Sequence, residues 1–115
     1  MKPLIILNDP PYGTERTYNG LRLAHALAKA GEAVTLFLMA DAVVAAKSGQ
    51  RTPEGFYNVE RMLGRVLAGG GDVLLCGTCL DARGIAAAEL IDGARRSDMA
   101  ELASATVASN KVLVF

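Results

Sequence analysis

Residues 33–39, AVTLFLM, carry apolar side chains at almost every position and show no alternation of apolar with polar. A strand with one face in water alternates. A short, β-rich run that does not alternate reads as a strand covered on both faces, which is the habit of a parallel sheet set between helices. LIIL at 4–7 and DVLLC at 72–76 share the character, and KVLVF closes the chain at 111–115. Between these runs the pattern changes to the helical period. From Arg16 to Ala30, Leu21, Leu23, Ala24, Leu27 and Ala28 share one side of a helical wheel, while Tyr18, Arg22, His25 and Lys29 share the other, and Gly31 supplies the stop. Asn58 caps a helix in which Val59, Met62, Leu63, Val66 and Leu67 recur at helical spacing, until Gly69, Gly70 and Gly71 end it. Asp98 and Glu101 resemble a capping box, ahead of a helix whose Met99, Leu102, Ala103, Thr106 and Val107 are expected to face inward. A short helical segment is expected at DAVVAAK, 41–47. The polar stretch SGQRTPEG, 48–55, is expected to be flexible, as a lid or an oligomer contact. Strands alternating with helices predict an α/β domain, a single one over residues 1–115, with a mainly parallel sheet and helices on both faces.

The 115 residues are about half hydrophobic, and Lys+Arg and Asp+Glu balance at 12 each. With no basic excess and few aromatic rings, the chain lacks the charge and the stacking surface that nucleic-acid binding uses. Weak self-repulsion and a high apolar content in so short a chain favour self-association, so a homo-oligomer is expected. The first apolar run is too short for a membrane span or a secretory core, and a cytoplasmic location follows as the expectation.

The only cysteines, Cys76 and Cys79, stand in VLLCGTCLDARGI at 73–85, where an apolar strand gives way to a polar turn. In a parallel sheet the carboxyl ends of all strands share one edge, where ligands usually bind. Asn8, Asp9, Tyr12, Asp41, Cys76 and Cys79 are therefore expected to cluster. The residues GTCLDAR can make two helical turns, which would put Cys76 at a helix N-terminus, where a thiolate is favoured. Structural zinc takes four ligands, and two cysteines with one distant histidine do not supply them, so no metal is expected. Three readings stay open. CGTC between strand and helix has the local layout of a thiol-disulfide oxidoreductase, although all four prolines precede it, so none can face the pair from downstream. The cysteines could be small core residues of a non-catalytic binding protein. Or Cys76 could carry a persulfide, with Cys79 one turn away to assist or resolve it, which requires no cofactor and no general base.

The chain resembles the DsrE/DsrF-like sulfur-relay family, and within it the YchN-like branch. The likeness runs through PYG after the first strand, LRLAHAL in the first helix, LFLMADAV at the second strand, CGTCLDARGI, LIDG and the terminal KVLVF. It implies a flavodoxin-like three-layer fold with a five-stranded central sheet, the short fourth strand centred on GARR, 93–96. It also implies a homohexamer built as two trimers, and sulfur donor and acceptor proteins as partners. In sulfur-transfer members the active cysteine lies eight residues before the glycine of an Arg-Gly-aliphatic triplet; here that triplet is Arg83, Gly84 and Ile85, and the matching residue is Cys76. Those members generally lack a cysteine at position 79, which the YchN-like branch keeps. The site residues implied are Cys76 and Cys79, with Asn8, Tyr12 and Asp41 as pocket residues.

Overall fold

The structure is a computed structural model describing residues 2–115. Strands β1 (Leu4–Leu7), β2 (Thr35–Leu38), β3 (Asp72–Cys76), β4 (Arg95–Ser97) and β5 (Val112–Val114) form one sheet in the order β4-β3-β2-β1-β5, and every neighbouring pair is parallel. The intervening helices are α1 (Arg16–Lys29), α2 (Val59–Ala68), α3 (Gly77–Ala82) and α4 (Met99–Ala108). The all-parallel five-stranded α/β architecture is the one expected. Its winding runs steadily from β1 to β4 and reverses only at the last crossover, where flavodoxin's 2-1-3-4-5 order reverses at the second.

Right-handed crossovers fix the layers. The connections from β1 to β4 all advance the same way, which sets α1 and α2 side by side on one face, in contact with each other. The β4-to-β5 connection returns across the sheet and sends α4 over the opposite face. Leu4, Ile5, Leu7, Leu36, Phe37, Leu38 and Leu75 are fully buried at the centre of one hydrophobic cluster, as the non-alternating runs require. On α1 the inward positions are Thr17, Gly20, Leu21 and Ala24, and Ala28 is exposed. His25 leaves the polar side assigned to it: its Nε2 donates to the Met62 carbonyl at 3.0 Å and pins α1 to α2.

The expected short helical segment forms as a 3₁₀ helix, Ala40–Ala46, with Ala42, Val43, Ala45 and Ala46 all buried; small side chains let this tighter turn lie close against the core. Two local expectations are corrected. Residues 48–55 are tied down through Gln50, whose side chain donates to the Ala45 and Lys47 carbonyls at 2.8 Å while its backbone N–H donates to Glu60 at 2.7 Å. On α4 only Leu102 is buried, whereas Met99 is 61% exposed and Val107 is 88% exposed. MAELASATVA is apolar nearly all round, so its spacing does not single out an inward face.

The glycines after α2 do separate work. Gly70 turns the chain at φ +87, while a Cβ on Gly71 would stand 2.6 Å from the Val34 carbonyl oxygen and 2.7 Å from a Val66 methyl. Gly71→Ala should cost about 1–3 kcal/mol in urea denaturation through overpacking. Gly64→Ala, inside α2 with open space around it, should stabilise by about 0.4–1 kcal/mol. Effects of the opposite signs would overturn this packing account.

Candidate functional site

Cys76 ends β3 and is the N-cap of α3, with φ −58 and ψ 115, so its side chain stands where the strand stops and the helix has not begun. It pairs across the sheet with Ser97 at the end of β4 and shares that residue's face. Beside the two strand ends lies a cavity of about 520 Å³, lined by Cys76, Gly77, Thr78, Arg96, Ser97, Asp98, Met99 and Glu101. Cys76 is 8% exposed. A reagent must enter the cavity to meet it.

The two thiols have different surroundings. Burial raises the Cys76 pKa, but hydrogen bonding from the side chains of Cys79 and Thr78 and from their backbone N–H groups outweighs it, and the thiol lies below its ordinary value. The Thr78 Oγ1 is 3.3 Å from Cys76 Sγ. Cys79 goes the other way: burial and the hydrogen bond to Cys76 raise its pKa, against opposing help from the Ala40 N–H and the Arg83 charge. Near neutral pH, Cys76 is the better nucleophile and Cys79 holds the proton.

Cys79 is clamped from the neighbouring β2 loop. The Ala40 N–H donates to its Sγ at 3.2 Å, and Ala40 adopts a left-handed φ of 50, which costs a residue with a Cβ about 1 kcal/mol or more. Arg83 fastens the same turn, with Nε donating to Asp41 Oδ1 at 2.9 Å and Nη1 to the Cys79 carbonyl at 3.1 Å. Asp41 thus stands beside the thiols through Arg83, and it caps no helix.

On the β4 side, Asp98 accepts the Glu101 N–H at 2.8 Å and caps α4. Only half of the expected capping box forms, because the Glu101 carboxylate turns to Arg95 and Ser97 instead. Those contacts hold the Glu101 carboxyl below the usual carboxylate range. Arg96 makes a bidentate pair with Asp81, at 2.8 and 2.7 Å.

Cys76, Cys79 and Asp41 are therefore brought together, while Asn8 and Tyr12 stand elsewhere. Asn8 donates to the Phe115 carbonyl at 3.3 Å, beside β5. Tyr12 bonds Gln50 and receives the Val59 N–H at 3.4 Å. The reason is strand order: β2 separates β1 from β3, which puts the end of β1 about 10 Å from the end of β3. Thr78, Arg96, Ser97, Asp98, Met99 and Glu101 line the cavity without having been picked out in the sequence as site residues. Their proximity comes from β4 pairing with β3, for which RRS carries no hydrophobic signal. Among the described residues there is no group of three or more His, Cys, Asp or Glu placed to hold a metal ion. Nor is any helix among them long and apolar enough to cross a membrane.

A sequence model of the DsrE/DsrF-like family matches residues 1–115. The chain belongs to the DsrE/DsrF-like family. It is 45% identical to Protein YchN of Escherichia coli K12, over 99% of this chain and 98% of that one, and 35% identical to uncharacterized protein MJ0989 of Methanocaldococcus jannaschii over the full length of both. The crystal structure of the E. coli ychN protein superposes with a TM-score of 0.93 at 44% identity, covering 100% of this chain and 99% of that one. MTH1491 of Methanobacterium thermoautotrophicum, a protein of unknown function, shares the fold at a TM-score of 0.69 and 15% identity over all of both chains. Within this DsrE/DsrF-like domain the two thiols should titrate apart. In site-resolved iodoacetamide alkylation, Cys76 should react at lower pH than Cys79, and Thr78→Val should move the Cys76 profile to higher pH. The sign also shows in stability: a depressed thiol stabilises the fold above its unfolded pKa of about 8.5, and that contribution is lost as pH falls through the folded value. Cys79 reacting at the lower pH would contradict the arrangement.

Proposed function

We propose that this protein is a sulfur-relay protein in which Cys76 accepts sulfane sulfur from a persulfide donor. The observation that carries the reading is the nearly buried Cys76, held below its ordinary pKa by hydrogen bonds, at the edge of a cavity with a second thiol beside it. The Cys76 thiolate attacks the outer sulfur of a donor R–S–SH. The donor S–S bond breaks, a new S–S bond forms to Cys76, and R–S⁻ leaves with the electron pair. Atoms and charge balance, with no cofactor involved.

Cys79 gives the persulfide a second fate. Its proton lost, Cys79 Sγ attacks Cys76 Sγ, the bond to the outer sulfur breaks, and HS⁻ leaves as a Cys76–Cys79 disulfide forms. A cytosolic dithiol then returns both thiols, and the reducing cytosol is where we place the protein. The same pair cycling as a plain dithiol-disulfide couple is the competing reading, favoured by the Cys79 hydrogen bond to Cys76.

We also infer that copies of the chain associate, as the family resemblance to a hexamer of two trimers implies. Exposed Met99, Val107, Val112 and Val114, on α4 and the edge strand β5, support it. A sulfur donor, either a protein or a small persulfide, and an acceptor protein are further partners on this reading.

Mass spectrometry after anaerobic incubation with a persulfide donor tests the assignment. The Cys79→Ser protein should gain one sulfur atom, mapped to Cys76, and Cys76→Ser should lose at least nine-tenths of the uptake. Undiminished uptake in Cys76→Ser would sink the proposal.

A further inference from the structure

Arg96 faces away from Cys76 in the register of β4, since Ser97 is the residue paired with Cys76. Its long side chain nevertheless crosses the strand end and lies over Gly77, the residue next to the nucleophile. A Cβ at position 77 would come within 2.7 Å of Arg96 Nε, 2.8 Å of Cζ and 2.9 Å of Nη2. Gly77 therefore makes the room in which the guanidinium sits. Asp81 holds it there by one hydrogen from each terminal nitrogen. The Nε–H and the outer N–H groups of the fork remain for something else. Arg96 and Cys76 line one cavity, and the Arg96 side chain is 57% exposed.

We propose that Arg96 is a substrate-recognition residue and that Cys76 takes its sulfur from a small persulfide carrying a carboxylate, of the amino-acid persulfide class. The reading rests on persulfide transfer to Cys76 as proposed above, and adds the donor. A volume of about 520 Å³ falls in the range of small-ligand sites, about 300–1,000 Å³. A guanidinium edge with free N–H groups matches a carboxylate in shape and charge. A cysteine persulfide inside a protein chain has amides on both sides and no α-carboxylate, so Arg96 offers it nothing comparable. An α-ammonium group would find Asp98 in the same cavity, whose Oδ2 is not used by the α4 cap. Once the carboxylate is docked, the Cys76 thiolate attacks the terminal sulfur of the donor, which leaves as the free amino-acid thiolate.

The test compares cysteine persulfide with cysteamine persulfide, which has the same ammonium and sulfur chain and lacks the carboxylate. Loading of Cys76 is followed by mass spectrometry in a Cys79→Ser background. Cysteine persulfide should load at least about 10-fold faster, as expected when a site built to bond a polar group meets an analogue without it. Arg96→Gln should bring the ratio close to one. Gly77→Ala, whose Cβ would displace the guanidinium from its place over residue 77, should do the same. The ratio is internal to each protein, so a general loss of reactivity does not imitate the effect, and urea denaturation of each variant confirms that it is folded. Equal loading of the unaltered site by both donors, or a ratio that survives Arg96→Gln, overturns the assignment of Arg96 while leaving the role of Cys76 standing. No loading by either donor overturns both.

Discussion

The site depends on one constraint, the parallel pairing of β3 on both of its edges. Leu38 of β2 stands opposite Leu75, and Ser97 of β4 stands opposite Cys76. Because all three strands point the same way, the chain leaves each of them at the same edge. Ala40 and Asp41 arrive on one side of the CGTC turn, and Arg96, Ser97 and Asp98 arrive on the other. A one-residue slip of β3 would carry Cys76 to the opposite face of the sheet. A slip that carried Asp72 into the buried place of Val73 is opposed by the cost of burying a carboxylate without a partner. The core thereby sets the register that the chemistry uses.

Within that frame the two cysteines diverge through hydrogen bonding. Burial raises both thiols, but Cys76 gathers hydrogen bonds from Cys79 and Thr78 that outweigh it, whereas at Cys79 the bond to Cys76 and its proximity add to the rise. The left-handed Ala40 and the Arg83 link to Asp41 fix the second thiol against the neighbouring loop. Backbone strain at this position is stored beside the reactive groups and is held by the buried Ala42 and Val43 that follow it. The outcome is a thiol of lowered pKa and a neighbour of raised pKa one turn apart, the order that the proposed sulfur relay uses.

What the sequence makes legible is local. Non-alternating runs mark β1, β2 and β3, helical spacing marks α1 and α2, and the strand-to-turn change at Cys76 marks the site. Strand order is not local, and it decides which loops meet: Asn8 and Tyr12 sit at a strand end like Asp41, yet two strand spacings take them away from β3. β4 consists of Arg95, Arg96 and Ser97, which have no apolar period, so only the family resemblance points near it, at GARR. Arg96 reaches the thiol cavity through a pairing between residues about twenty positions apart, and no spacing rule finds that. For α4 the obstacle is composition, since a helix apolar nearly all round leaves its buried face undetermined.

In the proposed sulfur relay, the deciding step is the fate of the sulfur once Cys76 holds it. Anaerobic incubation of the native protein with a limiting persulfide donor, with sulfide and peptide-mapped disulfide measured in the same samples, follows that step. The account predicts sulfide appearing in step with a Cys76–Cys79 disulfide, one for one, and no sulfide release when Cys79 is serine. Sulfide released without that disulfide, or at the same rate from the Cys79→Ser protein, would contradict it.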